Sequence, residues 1–367
     1  MTTFTSLGVP APLAAALAAR GITTPTEIQA ALIPAAYAGE NLIGEAPTGT
    51  GKTLAYLLPL IARIDPAQRT AQALILAPTH ELAMQIAGVA RDLVQAAESS
   101  IGVQALIGGA NLKRQIEGLK KKPAVIIGAA PRIMELHRLG KLKLTGVRMV
   151  VLDEFDRLLG KQHLDDVRSL IRLLPAERQA LLLSATAGAS AVRLAESLFA
   201  PRRIRTEETG GSYVNYYHIA AFRDKIKAVQ KLTRRLPIKR GLVFVGRSFD
   251  AVHALDKLRF EGIKAVALLG RERRDQRRAA LDAIRAGRAE LLIATDLAAR
   301  GLDIEDVDYV VHLDLPEDVR TYRHRAGRTA RAGKTGAVIS LADEREMSKL
   351  RALAARMEID LMRLPRA

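Results

Sequence analysis

Val150-Val151-Leu152-Asp153-Glu154-Phe155-Asp156 is an apolar run that ends abruptly in carboxylates. A run this short, bounded by polar residues, reads as a strand buried on both faces of a parallel sheet. Acids at its carboxyl end fall where open α/β sheets bind their ligands. Upstream, Ala46-Pro47-Thr48-Gly49-Thr50-Gly51-Lys52-Thr53 reads as a phosphate loop, placed between a strand-like run and a helical segment. Its glycines let backbone N–H groups approach phosphate oxygens, and a helix N-terminus adds positive potential. Lys52 is expected to reach the β/γ phosphates and Thr53 to ligate Mg²⁺. Asp153 is expected to hold the same ion through water, and Glu154 to orient and deprotonate an attacking water. Together the two stretches imply a Mg²⁺-nucleotide hydrolase.

The same alternation extends outward. Asn41-Leu42-Ile43, Ala73-Leu74-Ile75-Leu76, Val125-Ile126-Ile127, Met149-Val150-Val151-Leu152 and Ala180-Leu181-Leu182-Leu183 are short apolar runs. Periodic segments of helical length separate them, among them Leu54–Ile64 and Leu82–Ala97. Repeated βα units of this kind predict a doubly wound α/β domain. Gly241-Leu242-Val243-Phe244-Val245, Ala265-Val266-Ala267-Leu268, Glu290-Leu291-Leu292-Ile293-Ala294 and Tyr309-Val310-Val311-His312 repeat the plan in the second half. Between the halves, Thr206-Glu207-Glu208-Thr209-Gly210-Gly211-Ser212 has the polar, glycine-rich composition of a flexible linker. The expected organisation is a domain over 1–205, a linker over 206–212 and a second domain over 213–367.

Bulk composition narrows the function. Hydrophobic side chains make up 49% and charged ones 26%, which excludes a disordered chain. The chain has no cysteine, so a disulfide framework and a thiolate zinc site are excluded, and a cytoplasmic setting is expected. Met1-Thr2-Thr3-Phe4-Thr5 lacks the basic and apolar regions of a signal peptide. The longest apolar stretch, Leu54–Ala62, is about half of a bilayer span and contains Pro59, so no membrane partner is expected. The net charge of +17 is shared by both halves and favours a polyanion, nucleic acid first. Aromatic residues at 4% argue against recognition dominated by base stacking.

With these motifs assembled, the chain resembles the DEAD-box family of ATP-dependent RNA helicases over nearly its whole length. Gly21-Ile22-Thr23-Thr24-Pro25-Thr26-Glu27-Ile28-Gln29 is similar to the family's adenine-reading Q motif, with Phe4 upstream at the place of an adenine-stacking aromatic. Ser184-Ala185-Thr186 resembles the motif that couples ATP state to strand binding. The run Ala294–Ile304, and Tyr322-Arg323-His324-Arg325-Ala326-Gly327-Arg328-Thr329-Ala330-Arg331, are similar to motifs V and VI.

The resemblance implies two tandem RecA-like doubly wound parallel-sheet domains, ATP and Mg²⁺ as cofactors, and RNA held mainly by phosphate and ribose. It also implies a monomer that can act on a ribonucleoprotein partner, with closure of the two domains on ATP and RNA. Residue by residue, Gln29 would read adenine and Asp303 would meet the ribose. Thr48, Gly49, Thr50, Gly51, Lys52 and Thr53 would hold the phosphates and ion. Asp156, Ser184, Thr186, Arg300, His324 and Arg325 would couple the domains. Pro78, Thr79, Gly109, Arg132, Gly270, Arg277 and Thr295 would face RNA. If the last motif is helical throughout, His324, Arg328 and Arg331 share one face. The arginines would then act on the γ-phosphate in cis.

Departures from the family pattern gather on the RNA side. His80 stands where an arginine is usual, making a permanent charge pH-dependent. Ala129 replaces a phosphate-binding threonine, and Arg274 a glutamine. Arg271, Arg273, Arg274, Arg277 and Arg278 form a basic cluster able to compensate. Phe155 fills the usual place of a small residue, so its ring needs room near the inter-domain cleft or must turn into the first-domain core. The leading expectation is an RNA-dependent ATPase that separates short duplexes. An ATP-gated RNA clamp or assembly factor, and a DNA translocase, remain as alternatives.

Overall fold

The computed structural model describes residues 2–47, 49–185, 187–206, 213–236, 238–246, 248–269, 274–299, 307–330 and 335–364. They form two compact units, Met1–Glu208 and Thr209–Ala367. In the first, the strands are β1 (Leu42–Glu45), β2 (Ala73–Leu76), β3 (Val103–Leu106), β4 (Val125–Gly128), β5 (Met149–Asp153), β6 (Gln179–Ser184) and β7 (Arg202–Arg205). All pair in parallel, in the order β3-β4-β2-β5-β6-β1-β7.

Burial on both faces explains the continuous apolar runs of the central strands. Successive side chains of β5 alternate between two cores: Met149 and Val151 join one, Val150 and Leu152 the other. Helices Glu27–Tyr37, Lys52–Ala62 and His80–Ala96 cover the first face. Helices Ala130–Arg138, Leu164–Arg172 and Ala189–Phe199 cover the second. Two predicted helices begin two residues early, because the chain turns helical directly after Gly51 and after Thr79, which caps its helix through Oγ1. Thr206, read from sequence as linker, is buried and donates its N–H to Glu45 O at 2.9 Å. It therefore continues the edge strand; positions 207–212 lie outside the described residues.

The second unit has β8 (Tyr213–Ile219), β9 (Gly241–Val245), β10 (Ala265–Leu268), β11 (Leu291–Thr295), β12 (Tyr309–His312), β13 (Gly336–Ala342) and β14 (Met362–Arg363). Its parallel order, β10-β11-β9-β12-β13-β8-β14, reproduces that of the first unit strand for strand. β8 therefore corresponds to β1, and β12 to β5. Two doubly wound parallel sheets are the architecture expected from the sequence. Among the described residues, no helix is long and apolar enough to cross a membrane.

Candidate active site

The loop after β1 turns on Gly49 and Gly51, at φ +84° and +82°, backbone that other residues adopt only with strain. Gly51 opens the helix Lys52–Ala62. The Lys52 ammonium donates to Ala46 O and Pro47 O, both at 2.6 Å, and Thr50 Oγ1 donates to Pro47 O at 2.8 Å. The loop is thus folded over its own lysine. Thr26 and Gln29 clasp it from outside. Thr26 Oγ1 donates to Thr50 O at 2.7 Å, and Gln29 Nε2 donates to Gly51 O at 3.1 Å. Gln29 Oε1 accepts from Thr26 N, closing a capping box, so both ends of its amide are engaged within the chain. A side chain at Gly51 would collide with this amide. Phe4 lies in the apolar core with Val9, Leu13 and Leu17.

Across the sheet, Asp153 ends β5 with its carboxylate buried. Oδ1 accepts from Glu154 N and Oδ2 accepts from Tyr56 Oη, each at 2.9 Å. Burial, reinforced by the neighbouring Glu154 charge, pushes the carboxyl up to about 6; the Tyr56 hydrogen bond and the Lys52 ammonium pull the other way. A buried carboxylate facing a lysine and a hydroxyl is suited to a hard cation, which would relieve the burial cost. Thr53, half-buried one helical turn from Tyr56, supplies the hydroxyl. The donor set fits Mg²⁺, which takes few protein oxygens and completes its shell with phosphate and water.

Glu154 sits at φ +53°, and its Oε2 pairs with Arg157 Nη1 at 2.7 Å. The left-handed turn throws its side chain away from the strand direction, at a cost of order 1 kcal/mol. Phe155 resolves the choice posed by its size. Its ring is fully buried in the second core with Leu152, Leu158 and Leu170. Asp156 follows, half-buried, in the short helix Phe155–Leu158.

The first-unit residues assigned to RNA, Pro78, Thr79, Gly109 and Arg132, belong to the other half of the same sheet edge. Pro78 and Thr79 follow β2, Gly108 and Gly109 follow β3, and Ala129 follows β4. The nucleotide-loop and carboxylate positions follow β1 and β5, and Ser184 ends β6. The strand order therefore divides the carboxyl edge in two, with β5 next to β2 at the border. His80 packs beside Gly108, where an added Cβ would meet its Nε2 at 3.1 Å. Gly109 has φ +69°. Ala129 opens its helix without any side-chain cap, and Arg132 in the first turn pairs with Glu135 at 3.2 Å.

In the second unit, Thr295 ends β11 and its Oγ1 accepts from Ala298 N at 3.2 Å. Arg277 Nη2 donates to Ala298 O at 2.9 Å, so both positions meet at the short helix Asp296–Ala299. Arg325 is buried. Its Nε and Nη2 reach Asp296 Oδ1 and Oδ2, its Nη1 reaches Asp314 O, all at 2.7 Å, and it lies 4.8 Å from the Phe244 ring centroid.

The helix expected to run through Arg331 stops at Ala326. Gly327 caps it, and Thr329 is drawn to Val307 by a backbone bridge and a bond from its hydroxyl. His324 is on the helix and Arg328 is beyond it, so these two do not share the helical face argued from spacing. Half-buried Arg328 lies past the helix end. Thr48, Thr186, Gly270, Arg300, Asp303 and Arg331 lie outside the described residues, as do Arg271 and Arg273.

Two features escaped the sequence reading. Tyr56 was hidden in an apolar helical face, although its spacing of three from Thr53 places it on the same side. Lys225 opens the helix after β8, as Lys52 opens the helix after β1. Its ammonium is buried against Glu346 Oε2 at 2.7 Å and Leu313 O at 3.1 Å, without a glycine-rich loop before it. The second unit's counterpart of Lys52 is occupied by the chain itself.

This geometry agrees with what the chain resembles. Residues 26–194 match the model of the DEAD/DEAH box helicase family, and residues 224–333 that of the helicase conserved C-terminal domain. The DEAD-box ATP-dependent RNA helicase CshC of Bacillus cereus is 41% identical over 91% of this chain and 86% of that protein. This chain belongs to the DEAD-box family of ATP-dependent RNA helicases. Another relative, the probable ATP-dependent RNA helicase YfmL of Bacillus subtilis, is 39% identical over 94% of this chain and 91% of its own length. Among solved structures, Saccharomyces cerevisiae Dbp5 bound to RNA and ADP BeF3 aligns over all of this chain and 96% of its own, with a TM-score of 0.88 at 28% identity. The two-sheet RecA-like architecture is thereby that of the family.

Proposed function

We propose that this helicase hydrolyses Mg²⁺-ATP at the β1 and β5 ends of its first unit and uses the cycle to open short RNA duplexes or remodel RNA–protein complexes. The observation that carries this is the set of Lys52, Thr53, Asp153 and Glu154 on one half of the sheet edge, with the first-unit RNA-assigned positions on the other half. RNA bound to Dbp5 and the named activity of CshC support the choice of substrate. The run Asp153–Asp156 acts as a variant of motif II, with phenylalanine in its third place.

Lys52 exchanges the carbonyls of Ala46 and Pro47 for β/γ-phosphate oxygens when nucleotide enters, so binding opens the loop from its lysine outward. Thr53 and Asp153 would hold Mg²⁺, which would supply charge neutralisation at the phosphates. Glu154 orients water and takes its proton. His324, Arg325 and Arg328 transmit the nucleotide state, with Arg325 acting through Asp296 rather than by touching substrate. RNA is held through phosphate and ribose, so affinity falls steeply with salt.

ATPase assays with and without RNA test the proposal. Wild type is expected to be stimulated by RNA, and Glu154→Gln to bind ATP while hydrolysing it at least a hundredfold more slowly, about the contribution of a general base. Wild type inactive under both conditions would refute it.

One observation favours a second reading. Ala129 leaves its helix uncapped at an RNA-assigned position, and His80 carries no permanent charge. A weakened grip in the first unit suits an ATP-gated clamp. Tight ATP-dependent RNA binding without strand displacement, measured on one preparation, would select the clamp.

A further inference from the structure

We infer that Tyr56 is a positioning residue for the metal site, orienting the buried Asp153 carboxylate assigned to Mg²⁺; this rests on the nucleotide-site reading above. The phenol is fully buried, and its Oη lies 2.9 Å from Asp153 Oδ2. Thr53 stands three residues before it on the same helix. No motif of the sequence singled this residue out.

Hydrogen-bond chemistry fixes the direction of the bond. An ionised carboxylate only accepts, so the phenol proton points to Asp153 Oδ2. On the other side, Asp153 Oδ1 is held by Glu154 N at 2.9 Å. The carboxylate is clamped at both oxygens and keeps its remaining lone pairs for the water shell of the ion. A single buried phenol on the helix after β1 thus orients the ligand at the end of β5. Partners behind metal ligands characteristically tune metal affinity by ten- to a hundredfold.

The alternative is that the phenol merely satisfies buried polar atoms under the helix Lys52–Ala62. Tyr56→Phe separates the two, because it removes one oxygen and keeps the ring in the core. Binding of a fluorescent N-methylanthraniloyl-ADP is titrated with MgCl₂, beside the same titration without divalent metal and a thermal melt. Tyr56→Phe is expected to need roughly tenfold more Mg²⁺ for half-maximal tightening, with metal-free nucleotide affinity within about twofold of wild type. MnCl₂ in place of MgCl₂ should show the same direction of shift. An unchanged Mg²⁺ midpoint in a folded Tyr56→Phe protein overturns the inference and leaves the nucleotide site standing. Equal loss of metal-free and metal-dependent binding also overturns it, since that is the mark of a structural role alone. A wild type whose nucleotide binding ignores Mg²⁺ would instead refute the site itself, and the inference with it.

Discussion

Arg325 and Asp296 are joined at two points, Nε to Oδ1 and Nη2 to Oδ2, each at 2.7 Å. The arginine side chain is 4% exposed and the aspartate 35%, so the pair is closed on one side and open on the other. The third guanidinium contact, to Asp314 O, links the loop after β12 to the start of the helix after β11. Planar, forked recognition of this kind is specific to arginine.

Arg325→Lys should therefore cost about 1–3 kcal/mol in urea unfolding although the charge is kept, because one fork and the Phe244 contact are lost. Arg325→Ala should cost up to about 3–5 kcal/mol, reduced by the half-open aspartate. Nucleotide binding by the first unit should be unaffected by Arg325→Lys under conditions where the protein is folded. Equal stability of the lysine variant and wild type would show that the fork contributes nothing.

Gln29 faces a comparable test in the first unit. Replacing it with glutamate keeps the oxygen that accepts from Thr26 N but removes the donor to Gly51 O. A carboxylate would then face a carbonyl oxygen. The expected result is nucleotide binding weakened about fivefold or more and a lowered melting temperature, since a buried carboxylate facing an acceptor costs more than the about 1 kcal/mol of the lost hydrogen bond. Gln29→Ala should lower both, adding about 1 kcal/mol for the broken capping box. Calorimetric titration with ADP, beside thermal melts, checks these outcomes.

The nine strands named from sequence were legible because each is a continuous apolar run. The edges were not. β3 (Val103–Leu106) is only half-buried, and β7 carries exposed arginines around buried Ile204, so neither has the composition of a core strand. β8 mixes tyrosines and asparagine, because Asn215 is satisfied by Tyr322 Oη at 2.8 Å from a helix distant in sequence. β13 is apolar throughout, and its omission has no physical excuse. At the site, residue types and spacing were enough to place Lys52 at the start of the helix after β1, and Asp153 and Glu154 at the end of β5. Helical extension past Ala326 failed because a long-range bridge from Val307 to Thr329 outcompeted local periodicity. Tyr56 was invisible because it is on a helix and its partner Asp153 is on a strand far away in sequence.

Phe155 offers a counterintuitive test. Restoring a small residue by Phe155→Ala brings the run closer to the family pattern, yet the ring is fully buried among Leu152, Leu158 and Leu170. Such truncations leave a cavity and cost about 3–5 kcal/mol. Domains are stable by only about 5–15 kcal/mol, so the urea midpoint should fall markedly. Asp153 and Glu154 remain, so ATP hydrolysis should persist at temperatures where the variant is folded. Unchanged stability would mean that the ring is not packed as described.

His312 provides the pH dependence. It is fully buried between Ser340 Oγ, 3.0 Å from Nδ1, and the Tyr322 ring, with centroids 4.9 Å apart. Burial first, then the nearby Arg325 charge, holds its pKa well below the usual value of 6.5. The unfolded chain therefore binds the proton more readily than the folded one. His312 contributes its full stability above about pH 6.5, and that contribution is lost as pH falls, with a slope approaching 1.4 kcal/mol per pH unit. Asp153 acts in the opposite sense. Its pKa is raised to about 6, so the folded state takes up that proton first and gains stability as pH falls from 6 toward 4. The two contributions overlap, and the wild-type curve alone cannot separate them. His312→Gln removes the first and leaves the second. Stability measured by urea unfolding from pH 7.5 to 5 should fall more steeply for wild type than for His312→Gln. Parallel curves would mean that the imidazole takes up its proton inside the folded second unit.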